Sequence, residues 1–249
     1  MILYFRNFIF TILFFIFCGN LMATHVPGGN ITYENIGPNI FVITLTVYED
    51  CGGTASIPMG TETVSVSNSC GLTSPTITLP NVVFQFEASQ LCDLQIGQSE
   101  CNGGNLPGIF MHVWRDTITL PGVCDSWLFS WDLCCRNTSV NANGGANDFY
   151  IETVLNSVTA PANSSPVITS NPIPYTCLNQ PLNYSFGVVE PDGDSLHYSL
   201  VSAMDAAGVF LLYNPGYSGA SPINGINIDP NTGEITFTPQ LIGNFVVAV

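Results

Sequence analysis

Four acidic residues in the C-terminal part of the chain are spaced like ligands of a calcium site. Asp192 and Asp194 alternate across one turn, Glu190 comes just before them, and Asp229 lies in a later hairpin. Carboxylate oxygens suit Ca²⁺, which takes about six to eight oxygen ligands. The sequence therefore predicts calcium at Glu190, Asp192, Asp194 and Asp229. The alternative is a plain turn at residues 192–194, because Asp and Gly are common turn residues.

The histidines form no recognisable catalytic pattern. His25, His112 and His197 are far apart, and the chain contains neither H-E-x-x-H nor G-x-S-x-G. His112 lies between Phe110 and Trp114 on one strand face, which indicates a core histidine. A processed N-terminus at His25, together with a second histidine, would resemble the copper brace of lytic polysaccharide monooxygenases. Paired carboxylates for glycoside cleavage stay open, but the sequence favours a protein that is not an enzyme.

Cysteine usage indicates an oxidising compartment. Outside the first segment of the chain there are eight cysteines, an even number, which predicts disulfides in an exported protein. They are Cys51, Cys70, Cys92, Cys101, Cys124, Cys134, Cys135 and Cys177. The spacing does not reveal which cysteines pair. Cys134 and Cys135 are adjacent on a predicted strand and point to opposite faces, so we expect them to bond to different partners.

The first 23 residues have the order of a secretory signal peptide. Arg6 precedes an apolar run over residues 8–17, and Leu21-Met22-Ala23 offers a small residue at the cleavage site. The run is shorter than the ~20 apolar residues that cross a bilayer. No later run reaches spanning length. The sequence therefore predicts an exported protein without a transmembrane segment in the mature chain.

The charge balance excludes one class of partner. The chain has 18 acidic residues, only 3 basic residues and no lysine. Binding to phosphates depends on Lys and Arg, so nucleic acid is excluded as a partner and anionic lipid is disfavoured. An acidic surface is compatible with solubility, divalent cations or basic partners.

Alternating hydrophobicity predicts an all-β fold. Phe41, Ile43, Leu45 and Val47 occupy one face of a long strand, and residues 109–114 are apolar on both faces, as in a central strand. Trp127, Phe129 and Trp131 alternate with more polar residues, so we expect them in the core, although the alternative is a sugar-stacking platform. Gly- and Asn-rich turns separate these runs. Residues 24–161 are thus predicted to form a disulfide-rich β-sandwich.

A second domain is predicted for residues 165–249. Residues 160–166 are small, polar and flanked by prolines, as in a linker. Strands are expected to begin at Val167 and to cover residues 182–188, 195–202, 233–238 and 244–249. Residues 245–249 have the pattern of a buried strand. Because the chain stops there, we expect it to be a piece of a longer protein.

Two motifs of this second domain resemble cadherin-like and immunoglobulin-like bacterial repeats. They are Pro191-Asp192-Gly193-Asp194-Ser195-Leu196-His197-Tyr198-Ser199-Leu200 and Ile228-Asp229-Pro230-Asn231-Thr232-Gly233-Glu234-Ile235. The segments at residues 24–33, 45–51 and 131–137 of the first domain are similar to the N-terminal domain of large surface proteins of gliding bacteria. The resemblance implies a fold of two tandem β-sandwiches.

The same resemblance implies an exported, adhesin-like cell-surface protein that leaves the cell by type IX secretion. Its partner would be a glycan, a substratum or a protein of another cell surface, and calcium would stiffen the repeat. Two alternatives stay open. One is a secreted polysaccharide-acting enzyme or its accessory carbohydrate-binding module, and the other is a structural spacer that displays distal domains.

Overall fold

A computed structural model describes residues 26–53, 57, 59–134, 136–143, 148–171 and 174–249. Within these ranges the regular structure is β-strand, apart from two 3-10 turns at Ile96–Gln98 and Glu100–Asn102. The predicted all-β class is therefore confirmed. In the part of the chain that the structure describes, no helix has the length and apolar character needed to span a membrane. The predicted signal peptide lies outside the described residues.

Eight strands come from the first part of the chain. They are β1 (Gly28–Gly37), β2 (Ile40–Asp50), β3 (Glu62–Asn68), β4 (Ile77–Leu79), β5 (Asn81–Glu87), β6 (Ile109–Thr119), β7 (Trp127–Leu133) and β8 (Phe149–Leu155). One antiparallel sheet has the order β1-β2-β6-β5, here called the front sheet. The strands β4-β3-β7-β8 adjoin in that order in a second sheet, here called the back sheet. Because β6 lies between β2 and β5, the prediction of a central strand is confirmed.

The hydrophobic core is shared by the two sheets. Phe41, Ile43, Leu45 and Val47 of β2 are completely buried, as their alternation predicts. They belong to the same cluster as Val64 of β3 and as Trp127, Phe129 and Trp131 of β7. The front and back sheets therefore pack face to face as a β-sandwich, with the odd-numbered residues of β2 pointing inward.

The second part of the chain contains shorter strands. They are β9 (Val167–Ile168), β10 (Leu182–Tyr184), β11 (Val188–Val189), β12 (Met204–Ala206), β13 (Val209–Phe210), β14 (Asn227–Ile228) and β15 (Ile235–Phe237). The expected strand over residues 182–188 is divided because Gly187 has φ +58°, which is incompatible with an extended strand. Residues 195–200 are not strand, and residues 245–248 are half-buried where a buried strand was expected.

This second part is joined to the sandwich through backbone and side chains. Met204 of β12 pairs with Tyr150 of β8, so the β12–β13 hairpin extends the back sheet. Ser164 and Ser165 of the expected linker are buried, and their hydroxyls accept hydrogen bonds from the amides of Asn35 and Tyr33 at 3.2 and 2.9 Å. The end of the segment predicted as a linker is therefore held against β1. The division into two domains stays a prediction.

Candidate functional site

The predicted calcium ligands of one loop are used locally. The backbone amide of Asp194 donates to Oε2 of Glu190 at 2.8 Å. The amide of Ser164 donates to Oδ2 of Asp192 at 2.6 Å. One oxygen of each of these two carboxylates is thus occupied by a backbone N–H, and the loop is tied to residues 164–165 and hence to β1.

Asp229 has a different role, in the turn between β14 and β15. Its Oδ1 accepts hydrogen bonds from the amides of Asn231 and Thr232 at 2.8 and 2.9 Å. These backbone hydrogen bonds, that of Thr232 first, lower the pKa of Asp229 below its ordinary value because they stabilise the carboxylate. Gly233, with φ +69°, completes the hairpin, in which Ile228 pairs with Ile235. The motif therefore acts as a capped turn.

The four predicted calcium ligands are not gathered into one cluster. Among the described residues, the one group of three or more potential metal ligands within 4.8 Å is Cys70, Cys124 and Asp125. The two cysteines of that group form a disulfide, so they offer no thiolate to a metal. No metal centre is built from this cluster, and calcium at residues 190–229 stays a prediction.

Two of the expected disulfides are present with defined partners. Cys51 pairs with Cys101, and Cys70 pairs with Cys124. Cys134 is also disulfide-bonded, whereas the expectation for Cys135 lies outside the described residues. The structure differs from the prediction at Cys92 and Cys177, which are exposed thiols. Each of them lies on a surface loop outside the strands.

His112 is a core residue, as its position on the strand predicts. It is completely buried, it stacks on Trp114, and its Nε2 lies 2.7 Å from Oε2 of buried Glu49. Nδ1 has no hydrogen-bond partner among the described residues. Because neither side chain reaches solvent, this pair stabilises the inside of the sandwich and does not offer a base to a substrate. His25 of the copper-brace hypothesis lies outside the described residues.

The tryptophans do not form a sugar-stacking platform. Trp114 and Trp127 are fully buried and Trp131 is 3% exposed. Each indole N–H has a partner: the carbonyl of Gly60 at 2.9 Å, the carbonyl of Gly122 at 3.2 Å and Oε2 of Glu62 at 3.0 Å, respectively. The predicted core role of Trp127 and Trp131 is therefore confirmed, since satisfied indoles without exposed faces cannot stack on a ligand.

The front sheet instead carries a row of hydroxyl and amide groups on its outer face. Thr44 and Thr46 of β2 are half-buried, and the register places them opposite Thr32 and Asn30 of β1. Directly opposite residues on one face of an antiparallel pair are close neighbours. The four side chains therefore form one compact polar surface, here called the threonine floor.

A wall from the second part of the chain turns this floor into a groove. Residues 167–171 line the opposite side, and the groove has a volume of about 300 Å³. Three contacts hold the wall in place. Strand β9 pairs with β11, and the backbone amide of Ser170 donates to the carbonyl of Phe186 at 3.0 Å. The side-chain amide of Asn171 donates to the carbonyl of Ala88. The volume is at the lower end of the range for small-ligand pockets.

The described residues that line the groove combine polar and apolar groups, and none of them has a charged side chain. Tyr48 and Met111, which are directly opposite each other on β2 and β6, add apolar surface beside the threonine floor. Burial raises the pKa of Tyr48 above its ordinary value of 10.0, which already lies well above neutral pH, so its hydroxyl is uncharged. The groove thus offers neutral donors, neutral acceptors and an apolar patch.

Our sequence analysis did not single out this groove. The outward-facing Thr44, Thr46 and Tyr48 were visible as the polar positions of an alternating strand. That pattern indicates only a solvent-facing side. The signal that would distinguish a site is the wall of residues 167–171, which is more than a hundred residues away in the chain.

The chain was also compared with known proteins. No family model, no curated protein and no solved structure matches it.

Proposed function

We propose that this chain is an exported, adhesin-like binding protein of a bacterial cell surface, that it is not an enzyme, and that its groove binds a neutral glycan. The observation that carries the proposal is the threonine floor facing the wall of residues 167–171. The signal-peptide pattern and the disulfides support an extracellular location. The resemblance to surface proteins of gliding bacteria supports the same assignment and type IX secretion.

The chemistry of the groove suits a sugar. A sugar ring presents hydroxyl groups around its edge and C–H groups on its faces. Threonine hydroxyls and asparagine amides can both donate and accept hydrogen bonds, while Tyr48 and Met111 offer apolar surface to the C–H faces. Such a combination of apolar lining with a few polar groups is typical of ligand sites.

Charge favours a neutral ligand over an acidic one. The chain has a formal net charge of -15, so a uronic acid or a sulfated sugar is repelled on approach. Arg115 lies directly opposite Thr44 on β6, and its Nη2 is 2.8 Å from Oε2 of Glu34. The adjacent Glu34 carboxylate offsets the positive charge of the arginine on this face.

Glycan binding can be tested with isosteric variants. Thr44→Val and Thr46→Val remove hydroxyls from the threonine floor but keep the shape and favour the strand. The matched control is Thr63→Val, an exposed threonine on β3 of the back sheet. Wild-type protein and each variant are applied to a panel of neutral and acidic glycans, and affinities are measured by calorimetry.

We expect wild-type protein and Thr63→Val to bind a neutral glycan equally, and the double variant Thr44→Val/Thr46→Val to bind at least about tenfold more weakly, since each lost hydrogen bond contributes about 1 kcal/mol. Equal binding by all three proteins would place the ligand elsewhere. Absence of binding by the wild type to every glycan would refute the proposal and favour the spacer alternative.

Calcium stiffening is a separate proposal for the Glu190–Asp194 loop. It is supported by the carboxylate oxygens that carry no backbone hydrogen bond, beside the segment that contacts β1. Titration calorimetry with Ca²⁺ on wild type and on Asp192→Asn/Asp194→Asn tests it. Heat of binding that disappears in the variant supports a site, and identical titrations of both proteins contradict it.

A further inference from the structure

Two exposed cysteines lie on loops that meet at the surface. Cys92 and Cys177 are both thiols, whereas Cys51, Cys70, Cys101 and Cys124 form two disulfides. Cys92 begins the loop before the first 3-10 turn, and Cys177 follows the wall of the groove. A chain that already carries disulfides matures where thiols are readily oxidised.

Two hydrogen bonds connect the segments that contain these cysteines. The Asn171 side-chain amide donates to the carbonyl of Ala88 across a sequence separation of 83 residues. The Tyr175 backbone amide donates to Oε1 of Gln90 at 3.1 Å across a separation of 85 residues. Both segments therefore advance in the same direction along their line of contact.

The Tyr175–Gln90 contact lies close in sequence to both cysteines. Cys92 is two residues after Gln90, Cys177 is two residues after Tyr175, and their separation is 177 − 92 = 85 residues, the same as for the Tyr175–Gln90 contact. The offset between the segments changes from 83 to 85 residues between the two contacts, but each cysteine is only two residues, at most about 7 Å of chain, beyond the Tyr175–Gln90 contact. Both thiols are exposed, so the exposed loops can adjust to the ~4.4–6.8 Å Cα separation of a disulfide.

We infer that Cys92 and Cys177 form a disulfide when the protein is oxidised. The reaction is thiol–disulfide exchange with a disulfide oxidant, such as oxidised glutathione. The thiolate of one cysteine attacks the oxidant, releases one thiol and forms a mixed disulfide. The second thiolate then attacks the protein sulfur and releases the second thiol. The two cysteines lose two electrons and two protons, and the oxidant is reduced to two thiols.

The bond has a defined structural consequence. It joins the loop at Cys92 to the chain just after residues 167–171, so it anchors the wall of the groove to the sandwich covalently. The hydrogen bond that the Cys92 thiol makes to Oε1 of Gln95 at 3.4 Å is lost in exchange. The inference concerns the covalent state of the chain and is independent of whether the groove binds a glycan.

Mass spectrometry of the full chain tests the inference. The protein is incubated with excess oxidised glutathione, remaining thiols are blocked with iodoacetamide, and the chain is digested without reduction. We expect one linked peptide pair that contains Cys92 and Cys177 and is lighter by two hydrogen atoms, about 2 Da, than the two separate peptides. Cys92→Ser and Cys177→Ser should each abolish this pair.

The single variants also provide the control. In Cys92→Ser the other thiol, Cys177, should become fully labelled by iodoacetamide or carry glutathione, and circular dichroism should match wild type because both positions are exposed. Full labelling of Cys92 and Cys177 in the oxidised wild type would overturn the inference. A Cys92 linked to another cysteine, or links only between two molecules, would overturn it as well.

Discussion

Replacing Asn141 with alanine should loosen the attachment of the second part of the chain to the sandwich at its C-terminal residues. Asn141 is fully buried, although it lies outside the strands. Its Nδ2 donates to the carbonyls of Pro222 at 2.9 Å and Val246 at 2.8 Å, and its Oδ1 accepts from the Val246 amide at 2.9 Å. One side chain thus connects two places that are 81 and 105 residues away in sequence.

The size of the effect follows from these three bonds. Asn141→Ala leaves two carbonyls and one amide without their partner, and a buried unsatisfied group costs about 1–3 kcal/mol. Val246 is only half-buried, so water can replace part of its lost bonding. We therefore expect a loss of about 2–4 kcal/mol, near the low end of the about 3–9 kcal/mol that three fully buried unsatisfied groups would cost. Asn141→Asp should cost at least as much, because it sets a carboxylate against two carbonyl oxygens.

The assay is native-state amide hydrogen exchange with peptide resolution, combined with urea unfolding. Exchange at residues 244–248 should become about 30- to 1,000-fold faster in Asn141→Ala, the equivalent of 2–4 kcal/mol. Exchange in β2 and β7 should change much less, because these strands belong to the shared core of the sandwich. The matched control is Asn231→Ala, at an exposed position of the β14–β15 turn.

One result would refute this reasoning. If Asn141→Ala exchanged and unfolded like Asn231→Ala, within about 0.5 kcal/mol, the side chain would contribute no more than a surface residue. The attachment of the second part would then depend on the β8–β12 pairing and the small cluster of Ala142, Ala203 and Leu211.

Three further predictions concern the sandwich itself. Glu49→Ala should lower the free energy of unfolding by about 3 kcal/mol in urea titrations, because it leaves buried His112 without its hydrogen-bonding partner. Glu49→Gln keeps a polar group at this position and should cost less, so equal losses for the two variants would contradict this. The Cys70–Cys124 disulfide closes a separation of 54 residues, so replacing both cysteines with serine should cost about 4 kcal/mol by loop entropy; an unchanged melting temperature would argue against that value. Burial, reinforced by a hydrogen bond to Glu152, raises the pKa of Tyr150 from 10.0 to about 12. The protonated Tyr150 hydroxyl therefore contributes its full stabilisation below pH 10.0, and this stabilisation is lost as the pH rises toward about 12, because the tyrosine of the unfolded chain ionises first. Tyr150→Phe should flatten the loss of stability at alkaline pH in unfolding curves. A pH profile of stability identical to that of the wild type would disprove this prediction.

Much of the sandwich could be predicted from local patterns. Strict alternation over β2 identified Phe41, Ile43, Leu45 and Val47 as its inner face, and the aromatic alternation in β7 identified Trp127 and Trp131 as core residues. These predictions succeeded because the period of a strand is two residues and only one face meets the core. Placing His112 in the core succeeded for the same reason, although the pattern could not name Glu49 as its partner.

The second part of the chain was less predictable. Its strands are short and its hydrophobic cluster is small, so the periodic signal extends over too few residues to set strand limits. Residues 195–200 have a strand-like composition but are not strand. The motif at residues 228–235 forms the expected hairpin, because Asp229 and Gly233 stabilise its turn locally.

The sequence by itself determined the all-β class, the inner face of the long strands and the capacity to form disulfides, because each depends on residue types at short, regular spacing. Only the tertiary structure decided which cysteines pair, that the end of the presumed linker is buried against β1, and that residues 167–171 cover the threonine floor. These features arise from contacts between segments that are about 50 to 140 residues apart. No local pattern encodes such contacts, since their register is set by the packing of whole sheets.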